Sequence, residues 1–224
     1  MRVWMFTVAL MLCPALAAAG AWSRDKGSTF VSSAYTLSSP IDALGEDLKG
    51  YSTVYLERGL GRNLTLGIDA GMEANADYTA IFFLRRSLGA GNGPNVFAFQ
   101  GGLGAASSAG SPDYLLQVGA SWGRGMTTRL GGGWAALDTS LQYRFETGEI
   151  VTKADLTLGL KPVDRTKLML QVQVGDYLGN APYLRIAPSV AREFRPGRHI
   201  ELGAQVGVAG DTRVGLKLGT WLEF

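Results

Sequence analysis

The sequence predicts an all-β protein, a transmembrane antiparallel up-and-down β-barrel of about twelve strands. Apolar and small or polar residues alternate with a period of two in segment after segment, as in "LTLGIDAGME" at 64–73. The connections between these segments fall alternately into two sets of different composition, as expected when the two ends of an up-and-down barrel meet different surroundings. No stretch after residue 20 is apolar over the ~20 residues that a membrane-spanning helix needs.

The first 19 residues are predicted to be an export signal. One basic residue precedes an apolar run at 3–12, and small residues follow, which place cleavage after Ala19 or Ala21. A membrane anchor and a lipoprotein at Cys13 are the disfavoured alternatives, because the run has about half the length of a spanning helix and Leu12 is bulky. Cys13 is the only cysteine, so the chain after the signal has no disulfide.

Residues 20–224 are predicted to form one barrel domain, since single all-β barrels of this length are common. The alternating segments give its strands in chain order. They are expected at 30–37, 51–58, 64–73, 77–88, 95–106, 114–123, 134–145, 150–161, 167–176, 183–193, 199–208 and 213–224.

The connections fix the direction of the barrel. One set is short and mostly basic: "GLGRN" (59–63), the glycine-rich exception "GAGNGPN" (89–95), "GRGMTTR" (123–129), "KPVDRT" (161–166) and "FRPGRH" (194–199). The other set is more acidic and more varied: "SSPIDALGEDLKG" (38–50), "ANAD" (74–77), "ASSAGSPD" (106–113), "ETGE" (146–149), "DYLGNAP" (176–182) and "AGDT" (209–212). An even number of strands places both chain termini at the basic end.

The two faces of the strands are predicted to meet different solvents. The apolar face continues from strand to strand and is assigned to lipid, because a closed barrel pairs its backbone amides and has no edge. Outward aromatic residues near strand ends, Trp122, Tyr143, Phe145 and Phe224, are expected to form interfacial girdles. The other face is rich in Gly, Ser, Thr and Gln and is assigned to the lumen. Its charged members are Asp69, Glu73, Arg85, Asp138, Arg144, Lys153, Asp155, Arg185, Glu201 and Lys217.

The end of the chain carries a resemblance. The last strand, "VGLKLGTWLEF", alternates strictly and ends at Phe224; together with the other alternating strands and the signal it resembles bacterial outer-membrane β-barrel proteins. The resemblance implies a location in the outer membrane, contact with its lipid, and a role for Phe224 in the last-strand signal that the barrel-assembly machinery recognises. The segment "GLGRNLTLGID" is similar to turn-plus-strand units of small channel-forming members.

Several classes of function are disfavoured. The formal net charge of +2 is too small for a nucleic-acid-binding surface. His199 is the only histidine and is expected to be a solvated turn residue beside "FRPGRH", so no multi-histidine metal site and no catalytic histidine at the acidic end can be built. No phosphate-binding glycine loop is present. The sequence therefore predicts no cofactor, no metal and no catalysis.

The remaining prediction is a narrow porin-like channel for passive passage of small solutes. Charges of both signs would line its water-filled lumen and give a weak ion preference. The many glycines of the polar face favour a passage, because they remove side-chain volume. The alternative is a plugged structural or interaction barrel in which the same charges pair internally. A lipid-modifying outer-membrane enzyme is a second, disfavoured alternative. The pattern indicates neither the solute nor the oligomeric state.

Overall fold

The computed structural model describes residues 20–89, 93–108, 110–177 and 181–224. It is a closed antiparallel barrel in which each strand pairs with its neighbour in the chain and β1 pairs with β12. The prediction of a twelve-stranded all-β barrel is confirmed. The predicted signal at 1–19 lies outside the described residues. None of the described residues belongs to a helix long and apolar enough to cross a membrane.

The strands are close to the predicted segments. Their bounds are β1 Thr29–Pro40, β2 Lys49–Gly61, β3 Leu64–Glu73, β4 Tyr78–Leu88, β5 Asn95–Ser108, β6 Ser111–Thr128, β7 Gly131–Arg144, β8 Ile150–Val163, β9 Thr166–Tyr177, β10 Tyr183–Arg195, β11 Arg198–Ala209 and β12 Arg213–Glu223. We call the end with the short basic connections and the start of β1 the turn end, and the opposite end the loop end.

The expected boundaries differ most around β6. The connections at 106–113 and 123–129 were expected to be loops, but β5 and β6 stay paired up to Ser108 and Ser111, and β6 continues to Thr128 opposite Gly131. Glycine and serine suggest a loop in the sequence. Here both partner strands remain in register, so the ladder of backbone hydrogen bonds continues through them.

Strand register separates an outer face from a lumenal face. In the last strand, Leu216 and Leu218 point outward and are 74% and 57% exposed, whereas Trp221 on the other face is 8% exposed. The outward residues pair only with outward residues of the neighbouring strands, for example Leu218 with Leu202 and with Tyr35. The apolar exterior is therefore continuous around the barrel, and the polar face is enclosed.

The last residue lies just beyond the ladder. β12 ends at Glu223, one residue before the predicted end. The Phe224 side chain is 72% exposed, while its backbone exchanges hydrogen bonds with Thr29 at 2.6 and 3.0 Å. The chain end is therefore fixed to the first strand at the seam that closes the barrel.

Candidate functional site

The lumen contains a cavity of ≈ 400 Å³ lined by both charged and uncharged polar side chains. Strands on opposite sides of the barrel contribute to it, because the closed topology turns every second residue of each strand inward. Its charged lining residues are Arg24, Asp69, Arg85, Asp138, Lys153, Asp155, Glu201 and Lys217. Four cations thus face four carboxylates.

A buried ion-pair hub lies in the wall of this cavity. The Glu57 side chain has no solvent exposure. Its Oε2 accepts a hydrogen bond from Arg24 Nε at 2.6 Å, and its Oε1 accepts one from the Tyr55 hydroxyl at 2.7 Å and a short one from Arg85 Nη1. Arg85 also donates to Gln100 Oε1 at 3.1 and 3.0 Å. Two cations and a hydroxyl therefore compensate the burial of one carboxylate.

The chain preceding β1 enters the lumen, which was not anticipated from the sequence. Ala21 is 0% exposed. Trp22 lies against Gly123 of β6 so closely that a Cβ there would overlap its ring. The Arg24 backbone N–H donates to Thr65 Oγ1 of β3 at 3.2 Å, and its guanidinium lies 4.4 Å from the Phe30 ring centroid. We call residues 20–28 the lumenal segment, because it crosses the turn half of the interior.

Rings cover several glycines of the lumenal face. A Cβ on Gly67 would overlap the Phe83 ring, one on Gly159 the Trp134 indole, and one on Gly123 the Trp22 indole. The expectation that the glycines mainly open a passage is therefore wrong at these positions. With no side chain of their own, they allow aromatic rings from a neighbouring strand or from the lumenal segment to lie flat on the wall.

Seven of the ten charged residues predicted to line the lumen border the cavity. These are Asp69, Arg85, Asp138, Lys153, Asp155, Glu201 and Lys217. The other three lie near the loop end. Arg144 pairs with Glu149 at 3.5 Å, Arg185 pairs with Asp211 at 2.5 Å, and Glu73 is the exposed last residue of β3.

The cavity charges are unevenly distributed along its wall. Asp138 and Asp155 are direct cross-strand partners on β7 and β8. Like charges in such positions repel each other. On the opposite wall, Lys217 Nζ lies 2.8 Å from Glu201 Oε1, and Trp221 Nε1 donates to Glu201 Oε2 at 3.1 Å. One wall thus carries a directly bonded pair, and the other carries adjacent carboxylates with Lys153 two residues from Asp155 on the same face.

The position of His199 corrects a prediction. It was expected to be a solvated turn residue, but it belongs to β11, points inward and is 4% exposed. Its ring centroid lies 5.5 Å from that of Trp221. Within the described residues its Nδ1 has no hydrogen-bond partner, and no group of three His, Cys, Asp or Glu residues could hold a metal ion. The turn at 196–197 has only two residues, and Arg195 and Arg198 on either side of it already pair with each other. His199, the next residue, therefore lies within the strand ladder and points into the barrel.

Two central residues were missed by sequence reasoning for different reasons. Glu57 lies on the polar face of an alternating strand, so its inward direction was available from the pattern. Arg24 had no such signal, because the lumenal segment is not a strand and carries no period. Its contact with Glu57 spans 33 positions in the chain and depends on barrel closure.

Arg213 ties the first loop to the barrel at the loop end. Its Nη1 donates to Asp47 Oδ2 at 2.8 Å, and its Nη2 donates to the Ser38 carbonyl at 2.9 Å. The hydrogen bond from Arg213 holds the pKa of the exposed Asp47 carboxyl below its ordinary value. This contact tethers the loop at 41–48 beside the mouth of the barrel.

Comparison with known proteins gives matches by structure. No family model and no curated protein matches the chain. The COG4313 outer membrane channel from Pseudomonas putida F1 superposes with a TM-score of 0.65 at 12% identity, covering 92% of this chain and 99% of that one. The KdgM porin in complex with disordered oligogalacturonate gives 0.63 at 5% identity, covering 87% and 99% of the two chains. The NanC porin gives 0.60 at 9% identity, covering 86% and 98%.

These likenesses agree with the closed ladder, the continuous apolar exterior and the polar interior of this chain. All three solved structures are of outer-membrane channels or porins, and each is matched over nearly its whole length. The chain therefore has the fold of the bacterial outer-membrane β-barrel channel proteins.

Proposed function

We propose that this protein is an outer-membrane channel for the passive passage of small solutes. The observation that carries the proposal is the cavity of ≈ 400 Å³ inside a closed barrel, lined by charged side chains that water can hydrate. An apolar exterior of this extent requires lipid around it. The likeness to a channel and two porins supports the same function.

The balance of charge indicates weak ion selectivity. Four cations and four carboxylates line the cavity, so their fields largely cancel for a solute at its centre. The KdgM structure contains oligogalacturonate, an acidic sugar chain. Among the described residues that line the cavity, cations do not outnumber carboxylates as a polyanion would require, so we assign the lumen to small neutral or weakly charged solutes.

A plugged barrel is the second candidate, and the lumenal segment is the observation that favours it. Arg24 fixes this segment to the wall through Glu57, with side-chain exposures of 14% and 0%. In the channel proposal the lumenal segment narrows the path, and it leaves the lumen when the contact between Arg24 and Glu57 breaks. In the plugged alternative it stays in place permanently.

Catalysis is not part of the proposal. The single histidine is buried at the turn end, with its ring 5.5 Å from an indole ring. Its cross-strand partner Glu193 accepts the Gly197 N–H, and among the described residues no carboxylate accepts a hydrogen bond from His199 Nδ1 that would orient the ring as a base. The matched proteins named above are channels and porins rather than enzymes.

The proposal includes the processing of the chain. Cleavage after Ala19 would leave Gly20, whose position beside the Asp138 carboxylate would bring the new amino group close to an acid. Cleavage after Ala21 would remove that contact. The mass of the protein isolated from the outer membrane distinguishes the two sites. Finding it in the soluble periplasm would contradict the proposed location.

Single-channel recording tests the function. The refolded barrel in a planar bilayer should give discrete conductance steps, with a reversal potential near zero across a salt gradient because selectivity is weak. The control is a chain lacking β12, which cannot close the barrel. Intact, folded protein that gives no conductance under any voltage would eliminate the channel and leave the plugged barrel.

A further inference from the structure

Outward-facing cations on the strands are confined to one end of the barrel. In the described strands, the positively charged residues on the outer face are all arginines at the turn end: Arg58, Arg86, Arg124, Arg192, Arg195 and Arg198. Each lies within four residues of a strand end, a band of about 13 Å along the strand. Their paired neighbours include outward apolar residues such as Phe99, Ile200 and Leu222. The arginines therefore border the apolar surface.

Three of these arginines form a cluster on the β10–β11 hairpin. Arg195 and Arg198 are direct cross-strand partners flanking the turn at 196–197. Arg192 lies on the same face, opposite Ile200, which is two residues after Arg198 in β11. Its Nη1 donates to Thr166 Oγ1 at 2.5 Å. All three are exposed. We call them the hairpin arginine cluster.

No described carboxylate neutralises this cluster through an ion pair. Glu193 points inward and accepts the Gly197 N–H at 2.9 Å. Glu223 is inward as well, with Oε1 3.7 Å from Lys167 Nζ. Two guanidinium groups directly opposite each other repel and lower the stability of the hairpin. An anion bound between the two guanidinium groups would attract both, and these attractions would outweigh the repulsion between them.

We propose that the hairpin arginine cluster binds the phosphate of an anionic phospholipid headgroup in the leaflet at the turn end. The inference rests on the membrane placement of the barrel in the proposed function. The chemistry is that of guanidinium, which presents paired donors to phosphate oxygens in a bidentate geometry. The location fits a lipid because the apolar face beside the cluster contacts acyl chains at the depth where headgroups begin.

The test compares lipid retention by refolded barrels in detergent. Native mass spectrometry counts bound phosphatidylglycerol and phosphatidylcholine on the wild type and on the triple variant R192Q/R195Q/R198Q. Each arginine at an anionic surface contributes roughly fivefold, so the triple variant should lose roughly a hundredfold in phosphatidylglycerol binding. The matched control R62Q/R124Q/R129Q removes the same charge from exposed positions on other hairpins at the turn end and should retain the lipid.

Two further arms distinguish the chemistry. The variant R192K/R195K/R198K keeps the charge but loses bidentate geometry, so its binding should fall between those of the wild type and the glutamine variant. Inorganic phosphate at the same concentration should not displace the lipid. If the glutamine variant does not refold, the double variant R195Q/R198Q replaces it.

The proposal is overturned if the wild type binds both lipids equally, if the control variant loses as much lipid as the cluster variant, or if free phosphate competes. Conductance of the same variants separates this result from the proposed function. A cluster variant that conducts normally but fails to retain lipid supports both proposals. A wild type that never conducts but binds phosphatidylglycerol through the cluster contradicts the channel and supports the lipid site.

Discussion

Breaking the contact between Arg24 and Glu57 should release the lumenal segment and increase conductance. In the variant Arg24→Gln the 2.6 Å hydrogen bond between Nε and Glu57 Oε2 loses its charge, and the cation over the Phe30 ring is removed. A hydrogen bond to a charged group contributes about 1.5–3 kcal/mol. This corresponds to roughly a 10- to 150-fold rise in the population of the displaced segment.

The barrel itself should remain folded in this variant. Glu57 keeps the hydrogen bond from the Tyr55 hydroxyl at 2.7 Å and the ion pair with Arg85, so no buried charge is left without a partner. By contrast, Arg85→Ala removes a buried partner on a strand and should cost about 3–5 kcal/mol of barrel stability. The two variants therefore separate gating from folding.

Single-channel recording in a planar bilayer measures the effect as the fraction of time spent in the open state. The matched control is Lys26→Gln, which removes a charge two residues away on an exposed side chain of the same segment. It should behave like the wild type. If folded Arg24→Gln shows the conductance and open fraction of the wild type, the segment does not gate the lumen.

Three other results are expected. Leu156→Arg, on the outer face, should lower the free energy of unfolding in urea by about 2–4 kcal/mol if the residue lies near the bilayer midplane. Ser140→Arg on the cavity wall should lower it less, and equal losses of stability would contradict the assignment of the two faces. Lys153→Glu should shift the reversal potential toward cation preference, and an unchanged potential would place the ion path elsewhere. Phe224→Ala should reduce outer-membrane yield in cells while refolding in detergent continues, because the side chain is 72% exposed and the two backbone hydrogen bonds with Thr29 are kept; loss of refolding would instead indicate a structural role for the ring.

The structure also changes which control is suitable for the facing experiment. The sequence pattern places Thr65 and Thr157 inward, and arginine would be expected to be tolerated there in a water-filled lumen. Both are buried, at 0% and 4% exposure, and Thr65 Oγ1 accepts the Arg24 backbone N–H. Arginine at Thr65 would displace packed groups. At Thr157, which is buried although it borders the cavity, arginine would displace the hydrogen bond from Gln171 Nε2, so burial as well as direction decides which inward sites are mild.

Much of the architecture was available from the sequence. Alternation alone gives twelve strands, their order and the facing of residues such as Leu216 and Asp69, because a β-strand turns successive side chains to opposite sides. Consecutive strands in an up-and-down barrel pair with each other, so the chain order is also the spatial order. These are local rules, and they act within ten or so residues.

The interior depended on the closed barrel. Arg24 meets Glu57, Trp22 covers Gly123, and His199 is enclosed beside Trp221, although none of these pairs is close in the chain. The alternation indicates that a side chain points inward, but not what it meets there. That is decided by the stagger and closure of the strands and by the entry of the lumenal segment. The sequence by itself therefore determined a two-faced barrel, and only the tertiary structure decided which of its charges are paired, which are covered and which line open space, because each depends on groups brought together from different strands.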